Sequence, residues 1–447
     1  MRKPKITAKE FAKRRNKLMS MLGGNVIAIV PSSSFQIRNR DVEYPFRQNS
    51  DFLYLTNFNE PDSIAVFIPE REQGEYILFC RDKDPQIEQW TGIRAGVEGA
   101  IENYGADDSF PIDDIDDILP SLMEGRKSIY YSMGNDQHFD QQVMDWVGII
   151  KKKIRNGAQS PHEFISLDLF LHEMRLFKSA AEIRMMKYAA QTSMNAHHTA
   201  MQNCKAGMWE YEIDALFQYE FCRNGMKSAY TSIVGGGENA CILHYIENDQ
   251  KLNKNELLLI DAGAEHEGYA SDITRTFPID GKYTEPQKQL YQIVLDAQKA
   301  AIAEAKPNNT WNQPHIAALN TIVQGLLEVG ILQGDASKST QENVHQLIED
   351  EAFKPHFMHK TGHWLGLDVH DVGDYKVDDE WRMLEPGMVI TVEPGLYISP
   401  SDDVDEKWWN IGIRIEDDVV ITKDGNEVIT QALVKEIDDI EAVCQGN

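Results

Sequence analysis

Hydrophobic and polar residues follow two different rhythms along the chain. Between residues 24 and 131 the apolar positions come in short runs, Asn25–Val30, Ser63–Ile68, Tyr76–Cys80 and Ser128–Tyr131. Short apolar runs bounded by turn residues predict buried strands. A helix is predicted between them from Asp113 to Glu124. The acidic stretch Asp107–Asp117 reads as its solvated start, because Asp favours caps and first turns. An amphipathic helix opens the chain, with Phe11, Leu18 and Leu22 on one side. Alternating strands and helices predict an α/β arrangement here.

The rhythm changes after a junction at residues 163–183. Ser179 and Glu182 have capping-box spacing, and Ile183, Met186, Ala190, Met194 and His197 then recur at helical intervals. Further helices are predicted at Trp209–Asn224, Pro286–Ala305 and Trp311–Val329. Strand-like runs fall at 229–234, 256–263, 269–279, 388–393 and 411–421. Long helices mixed with antiparallel hairpins predict an α+β domain. The 447 residues therefore resolve into two domains, 1–174 and 175–447.

Charge narrows the function classes. The net charge is −27, and it is unevenly spread: −6 over residues 1–174 and −21 over the rest. Such a chain is a poor binder of nucleic-acid phosphates or anionic membranes. No apolar run approaches the ~20 residues that span a bilayer. Eight of the first 17 residues are Lys or Arg, with no apolar stretch behind them, which argues against a secretory leader. The five cysteines, Cys80, Cys204, Cys222, Cys241 and Cys444, lack metal-knuckle spacing and read as free thiols of a reducing compartment. The expected location is cytoplasmic.

The acid excess contains paired carboxylates. Leu257–Asp261 and Asp272–Phe277 flank a turn ending at Gly268, so a hairpin is predicted. With Glu265 opposite Gly268, Asp261 faces Asp272 directly, with Cβ atoms ~4.5–5.5 Å apart. Opposed carboxylates repel unless a cation lies between them, and an unpaired buried Asp is costly. A metal resolves both problems. Downstream, three of the 13 histidines, His359, His363 and His370, fall within twelve residues, in a stretch whose Gly362 and Gly366 favour loop over helix. Glu393 closes an apolar run ahead of Pro394-Gly395, which is expected to stop regular structure. In Asn410–Glu416, Ile411, Ile413 and Ile415 form an apolar face, and Arg414 and Glu416 share the other, where Arg414 can bond a metal-bound carboxylate.

In order, Asp261, Asp272, His363, Glu393 and Glu416 match the Asp–Asp–His–Glu–Glu ligand set of the pita-bread metallopeptidases. Residues 175–447 resemble that α+β catalytic domain throughout, and residues 1–174 resemble the α/β creatinase/prolidase-type N-terminal domain. Within the group, the chain is most similar to the bacterial aminopeptidase P (Xaa-Pro aminopeptidase) family. The motifs carrying this are Tyr44–Tyr54, Gly235–Tyr245, His363–Asp371 and Gly412–Glu416.

The resemblance implies two divalent metal ions. Asp261 and Asp272 hold one, His363 and Glu393 hold the other, and Asp272 and Glu416 bridge them. An oxygen-rich set with one His favours a hard ion such as Mn²⁺. The resemblance further implies attack by a metal-bridging hydroxide on the carbonyl preceding proline in peptides with proline second. Glu393 takes the nucleophile's proton, and His244 and His370 stabilise the carbonyl and its tetrahedral product. His359 borders the proline pocket, and Arg414 supports the carboxylates. Lys360 departs from the glycine usual after the first histidine of this motif, so the pocket edge differs here. A homodimer or homotetramer is expected, with Trp90 resembling a residue that caps a neighbour's site. The alternatives are prolidase, restricted to Xaa-Pro dipeptides, and a non-catalytic binding module, against which the filled ligand set argues.

Overall fold

The computed structural model describes residues 3–446. They form two compact units, Ile6–Arg175 and residues 176–446 together with 3–5. In the first unit, six strands make one mixed sheet in the order Asp108–Pro111, Tyr76–Cys80, Ile64–Phe67, Val26–Pro31, Ser128–Tyr131, Glu163–Ser166. Its central strands are buried on both faces, which is why they read as continuous apolar runs. Ile27, Val66, Phe79 and Ile129 pack with Leu119, Val143 and Trp146 from the helices Ile115–Met123 and Gln137–Lys152.

The first helix, Ala8–Leu22, buries Phe11, Leu18 and Leu22, and with them Arg14 and Arg15. These arginines donate to the carbonyls of Tyr54 and Leu55 at 3.0 Å each. Both carbonyls belong to the last turn of the helix Ser50–Thr56, where cations satisfy the unbonded C=O groups. Part of the basic N-terminal cluster is thus structural. The acidic stretch is not all helix start. Residues 108–111 form an edge strand parallel to Tyr76–Cys80, and the helical turns begin at Ile112. Asp107 sets this by accepting the N–H groups of Glu75 and Tyr76 at 2.9 Å each.

In the second unit the helix Ala180–Asn203 starts at the Ser179/Glu182 capping box. Helices Glu210–Arg223, Glu285–Glu304 and Gln313–Glu328 lie within about two residues of the predicted ones. Thr340–Glu349, capped by Ser339 and Glu342, is an additional helix that the apolar pattern did not mark. Every strand pair of this unit among the described residues is antiparallel. The central ones are Ile233–Gly236, Leu257–Asp261 and Thr274–Pro278 in one sheet, and Val389–Val392 with Asp417–Thr422 in another. Leu258, Ile260, Phe277, Ile390, Val392 and Ile413 pack with Leu290, Val294 and Ile322 from the long helices. Lys3 joins this unit by donating to the Asn224 carbonyl at 2.6 Å.

Three local expectations change. The hairpin register is shifted by two: Asp261 pairs with Thr274, not Asp272. The cause is the turn. His266 pairs with Tyr269, so the loop is the two residues Glu267 and Gly268, with φ of 49° and 87°. Two successive positive φ values make the tight turn that suits strand twist, and glycine supplies the second. The run 229–234 is not one strand. Lys227–Ser228 and Ile233–Gly236 are strands, and the residues between turn Tyr230 toward the carboxylates. Pro394 interrupts the chain only briefly, since Gly395–Ile398 is again a strand, paired with Ile411–Arg414. No helix among the described residues is long and apolar enough to cross a membrane.

Candidate metal centre

The carboxylates sit where strands end. Asp261 is the last residue of its strand, and Asp272 lies in the break before Thr274–Pro278. Glu393 follows Val389–Val392, and Glu416 occupies the step between Ile411–Arg414 and Asp417–Thr422. His363 arrives on a loop laid along Val389–Val392. Thr391 N–H donates to the His363 carbonyl at 3.0 Å, His363 N–H to Thr391 Oγ1 at 3.0 Å, and Glu393 N–H to the Thr361 carbonyl at 2.8 Å. Gly362 permits this approach, because a Cβ there would lie 2.1 Å from the Thr391 carbonyl oxygen. The face carrying Arg414 and Glu416 is as buried as the isoleucine face, at 4% and 1% exposure.

These elements bring all nine singled-out residues, His244, Asp261, Asp272, His359, His363, His370, Glu393, Arg414 and Glu416, to one cavity of about 700 Å³. Donor atoms of Asp272, His363 and Glu416 lie within 4.8 Å of one another. His363 Nε2 is 3.4 Å from Asp272 Oδ2 and 3.6 Å from Glu393 Oε1. His363 Nδ1 lies 2.9 Å from the Trp364 carbonyl, which can only accept. Nδ1 therefore carries the proton, and Nε2 turns its lone pair to the carboxylates when the ring is neutral. The rings of His370 and His363 are 4.2 Å apart, and His370 and His244 are exposed.

Arg414 donates from Nη2 to Asp261 Oδ2 at 2.7 Å, from Nη1 to Tyr397 Oη at 2.9 Å and from Nε to Thr274 Oγ1 at 3.2 Å. The Tyr397 hydroxyl in turn contacts His359 Nε2 at 2.9 Å, and His359 Nδ1 donates to the Lys360 carbonyl at 2.7 Å. Both ring nitrogens of His359 are thus engaged, and its ring packs against Phe357 with centroids 5.0 Å apart. Burial holds His359 down at about 4, helped by Arg414, so it is neutral at pH 7.

The carboxylates are under electrostatic pressure. Burial and the neighbouring Asp272 and Asp261 push Glu393 up to about 7 despite His363 and Arg414. Burial and the same carboxylates push Glu416 well above its usual range, and burial raises Asp261 against the pull of Arg414. Asp272 goes the other way. Burial would raise it, but the bond to His363 outweighs that and it is lowered. Burial likewise disfavours the His363 imidazolium, yet Asp272 and Glu393 raise it to about 9. The cluster holds more negative charge than Arg414 and His363 cancel. Two divalent cations would cancel the four carboxylates, so the donor set fits such a pair.

Residues 184–423 match Metallopeptidase family M24, and residues 11–130 match the aminopeptidase P N-terminal domain. The chain belongs to metallopeptidase family M24. Membership implies divalent metal ions, in agreement with the donor set. Over 98% of both chains it is 41% identical to the Xaa-Pro aminopeptidase of Escherichia coli K12. It is 34% identical to human Xaa-Pro aminopeptidase 3, covering 99% of this chain and 87% of that one. Among solved structures, aminopeptidase PepP of Pseudomonas aeruginosa superposes with a TM-score of 0.96 at 51% identity, over 99% of each chain. A zinc-substituted E. coli aminopeptidase P in complex with product superposes with a TM-score of 0.95 at 41% identity, again over 99% of each. These neighbours share the two-part architecture, an aminopeptidase P N-terminal domain before a pita-bread M24 domain.

Sequence reasoning missed Tyr230. Its hydroxyl meets Asp261 Oδ1 at 2.6 Å and Asp272 Oδ1 at 2.5 Å. Burial, Asp261 and Asp272 hold that phenol far above its usual range, so it stays a donor. A tyrosine in a strand-like run carries no mark of such a role. Also missed were Tyr397 and Thr274, the latter donating to Glu416 Oε2 at 2.7 Å. Trp90 sits on the helix Pro85–Thr91 and is 88% exposed.

Proposed function

We propose that this chain is an aminopeptidase that releases the first residue of peptides whose second residue is proline. The observation that carries the reading is the convergence of Asp261, Asp272, His363, Glu393 and Glu416 on one cavity, in a chain similar over its full length to Xaa-Pro aminopeptidases. Asp261 and Asp272 would hold one divalent cation, and His363 and Glu393 the second, with Asp272 and Glu416 shared between them. Mn²⁺ is the favoured ion for this oxygen-rich set. When bound, such a pair activates water at neutral pH and polarises the scissile carbonyl.

The chain's own residues do the rest. The carboxylate cluster attracts the substrate's α-ammonium group. Glu393 Oε accepts the nucleophile's proton and returns it to the proline nitrogen as that leaves. His244 and His370, exposed at the cavity, donate to the carbonyl oxygen as its negative charge grows. His359, with both nitrogens engaged, offers a flat ring against the proline. Arg414 keeps Asp261 ionised and aimed. The chain works in the cytoplasm as a homodimer or homotetramer, and its domains divide near residue 174.

The test is turnover of Ala-Pro and Ala-Pro-Ala after loading with Mn²⁺, Co²⁺ or Zn²⁺. Release of alanine from the tripeptide, fastest with Mn²⁺, is the expected result. Cleavage of the dipeptide alone would make the chain a prolidase, and cleavage of neither would remove the reading.

A further inference from the structure

Besides its acids and histidines, the cavity lining contains two basic side chains, Arg414 and Lys360. Arg414 is committed, with bonds to Asp261, Tyr397 and Thr274. Lys360 is exposed and enters no ion pair among the described residues. Its backbone is nonetheless anchored on both sides. The Lys360 carbonyl accepts from His359 Nδ1 at 2.7 Å. The next residue, Thr361, is buried, with its carbonyl bonded to Glu393 N–H at 2.8 Å and its hydroxyl 2.8 Å from His315 Nδ1. Lys360 therefore stands on a fixed base and lines both the main cavity and a cavity of about 20 Å³ that Trp311, Pro314 and His315 also line.

Two neighbouring histidines add no lasting charge on this side. His359 and His315 are both held down at about 4, by burial first, and His315 also by Lys360 itself. At neutral pH this wall presents one uncommitted cation. A free peptide carries an ammonium at one end, which the carboxylates draw. A carboxylate just beyond the proline has two sources, the C-terminus of a tripeptide or an acidic side chain at position three. One extended residue spans ~3.3–3.6 Å, so that group lies one step beyond the ring that faces His359. On a chain of net charge −27, most of the surface repels an anion, so a single cation at the cavity carries weight.

We propose that Lys360 is a specificity residue that takes a carboxylate of the peptide substrate on the far side of the proline. The inference rests on the proline-directed reading above. It is tested with four peptides, Ala-Pro-Gly and Ala-Pro-Gly amide for the α-carboxylate, and Ala-Pro-Asp amide and Ala-Pro-Asn amide for the side chain. The Mn²⁺-loaded chain is expected to favour the charged member of at least one pair in kcat/KM by about three- to fivefold, as a partly exposed ion pair allows. Lys360→Gln should bring that ratio to about one and Lys360→Glu should invert it, through KM rather than kcat, and more weakly at high salt. The pair that responds identifies the source of the carboxylate. A native ratio of one in both pairs, or a ratio that survives Lys360→Glu, overturns the inference and leaves the proline specificity standing. Failure to cleave any of the four peptides overturns both.

Discussion

Glu416 and Asp417 are consecutive, both are about 1% exposed or less, and they have opposite electrostatic fates. Asp417 turns to a side of the strand where the protein supplies its own cations. Arg275 reaches it at 2.7 Å and Lys435 at 2.6 Å, and Gln298 and Thr430 donate at 2.7 Å each. Burial alone would raise its pKa, but Arg275 and Lys435 more than offset that and hold it far below the usual carboxylate range. Glu416 turns to the other side, toward Asp272, Glu393 and Asp261. There burial and those carboxylates raise it, and Arg414 opposes them too weakly. One carboxylate is satisfied by folding, and the other is left in excess negative charge that, on the proposed reading, cations from outside complete. That is the difference between a structural and a functional buried charge, and it recurs only one residue apart.

The largest effect should come from the externally completed side. Glu416→Gln is expected to lower kcat/KM by more than the ~100-fold typical of outer-shell partners of a metal, because it removes a carboxylate shared by both proposed cations. In chelator, its melting temperature should equal or exceed that of the parent, because a repelling carboxylate has gone. Circular dichroism melts with and without metal check this, and an unfolded Glu416→Gln chain would refute the contrast.

Arg275→Met tests the internally completed side. Asp417 would be left buried without its main partner, a loss of about 3–5 kcal/mol. Arg275 also bonds the Glu416 and Leu433 carbonyls, so the destabilisation should persist with Mn²⁺ present. Urea unfolding in both states measures it, and full rescue by metal would erase the distinction drawn here.

The smallest effect is the pH response of the metal-free chain. Glu393 at about 7 and His363 at about 9 both bind protons more tightly folded than unfolded. For His363 the stabilisation is complete below about 6.5 and is lost as pH rises through about 9. For Glu393 the raised pKa costs stability progressively from about 4.5 up to about 7. Both slopes are negative, but the depressed His359 and His315 oppose them below about 6.5, so melting temperature in chelator should fall between pH 7 and 9, where the loss at His363 acts alone. Excess Mn²⁺ should flatten or reverse the trend, and a rise with pH over that range in chelator would contradict the assignment.

Much of the site was readable in the chain because strand ends are legible. Asp261 after Leu257–Ile260, Glu393 before Pro394 and Glu416 after alternating isoleucines each announce a polar group where an apolar run stops. Tyr230, Tyr397 and Thr274 give no such signal, since nothing in their neighbours marks which atoms they meet. The hairpin shows the limit even for legible elements. Both strands were foreseen, yet the register depended on whether Glu267 and Gly268 alone close the turn.

By itself the sequence determined the two-part order, the identity of the ligand-type residues and the acid excess of the second part. Periodicity and composition are local properties, and each residue type carries its own chemistry. Only the tertiary structure decided which acids are neutralised from within and which are left for a cation. That choice lies in residues distant in sequence, Arg275 and Lys435 for Asp417, and Asp272 and Glu393 for Glu416. Electrostatic energy in a buried site depends on distances that the chain acquires only when it folds.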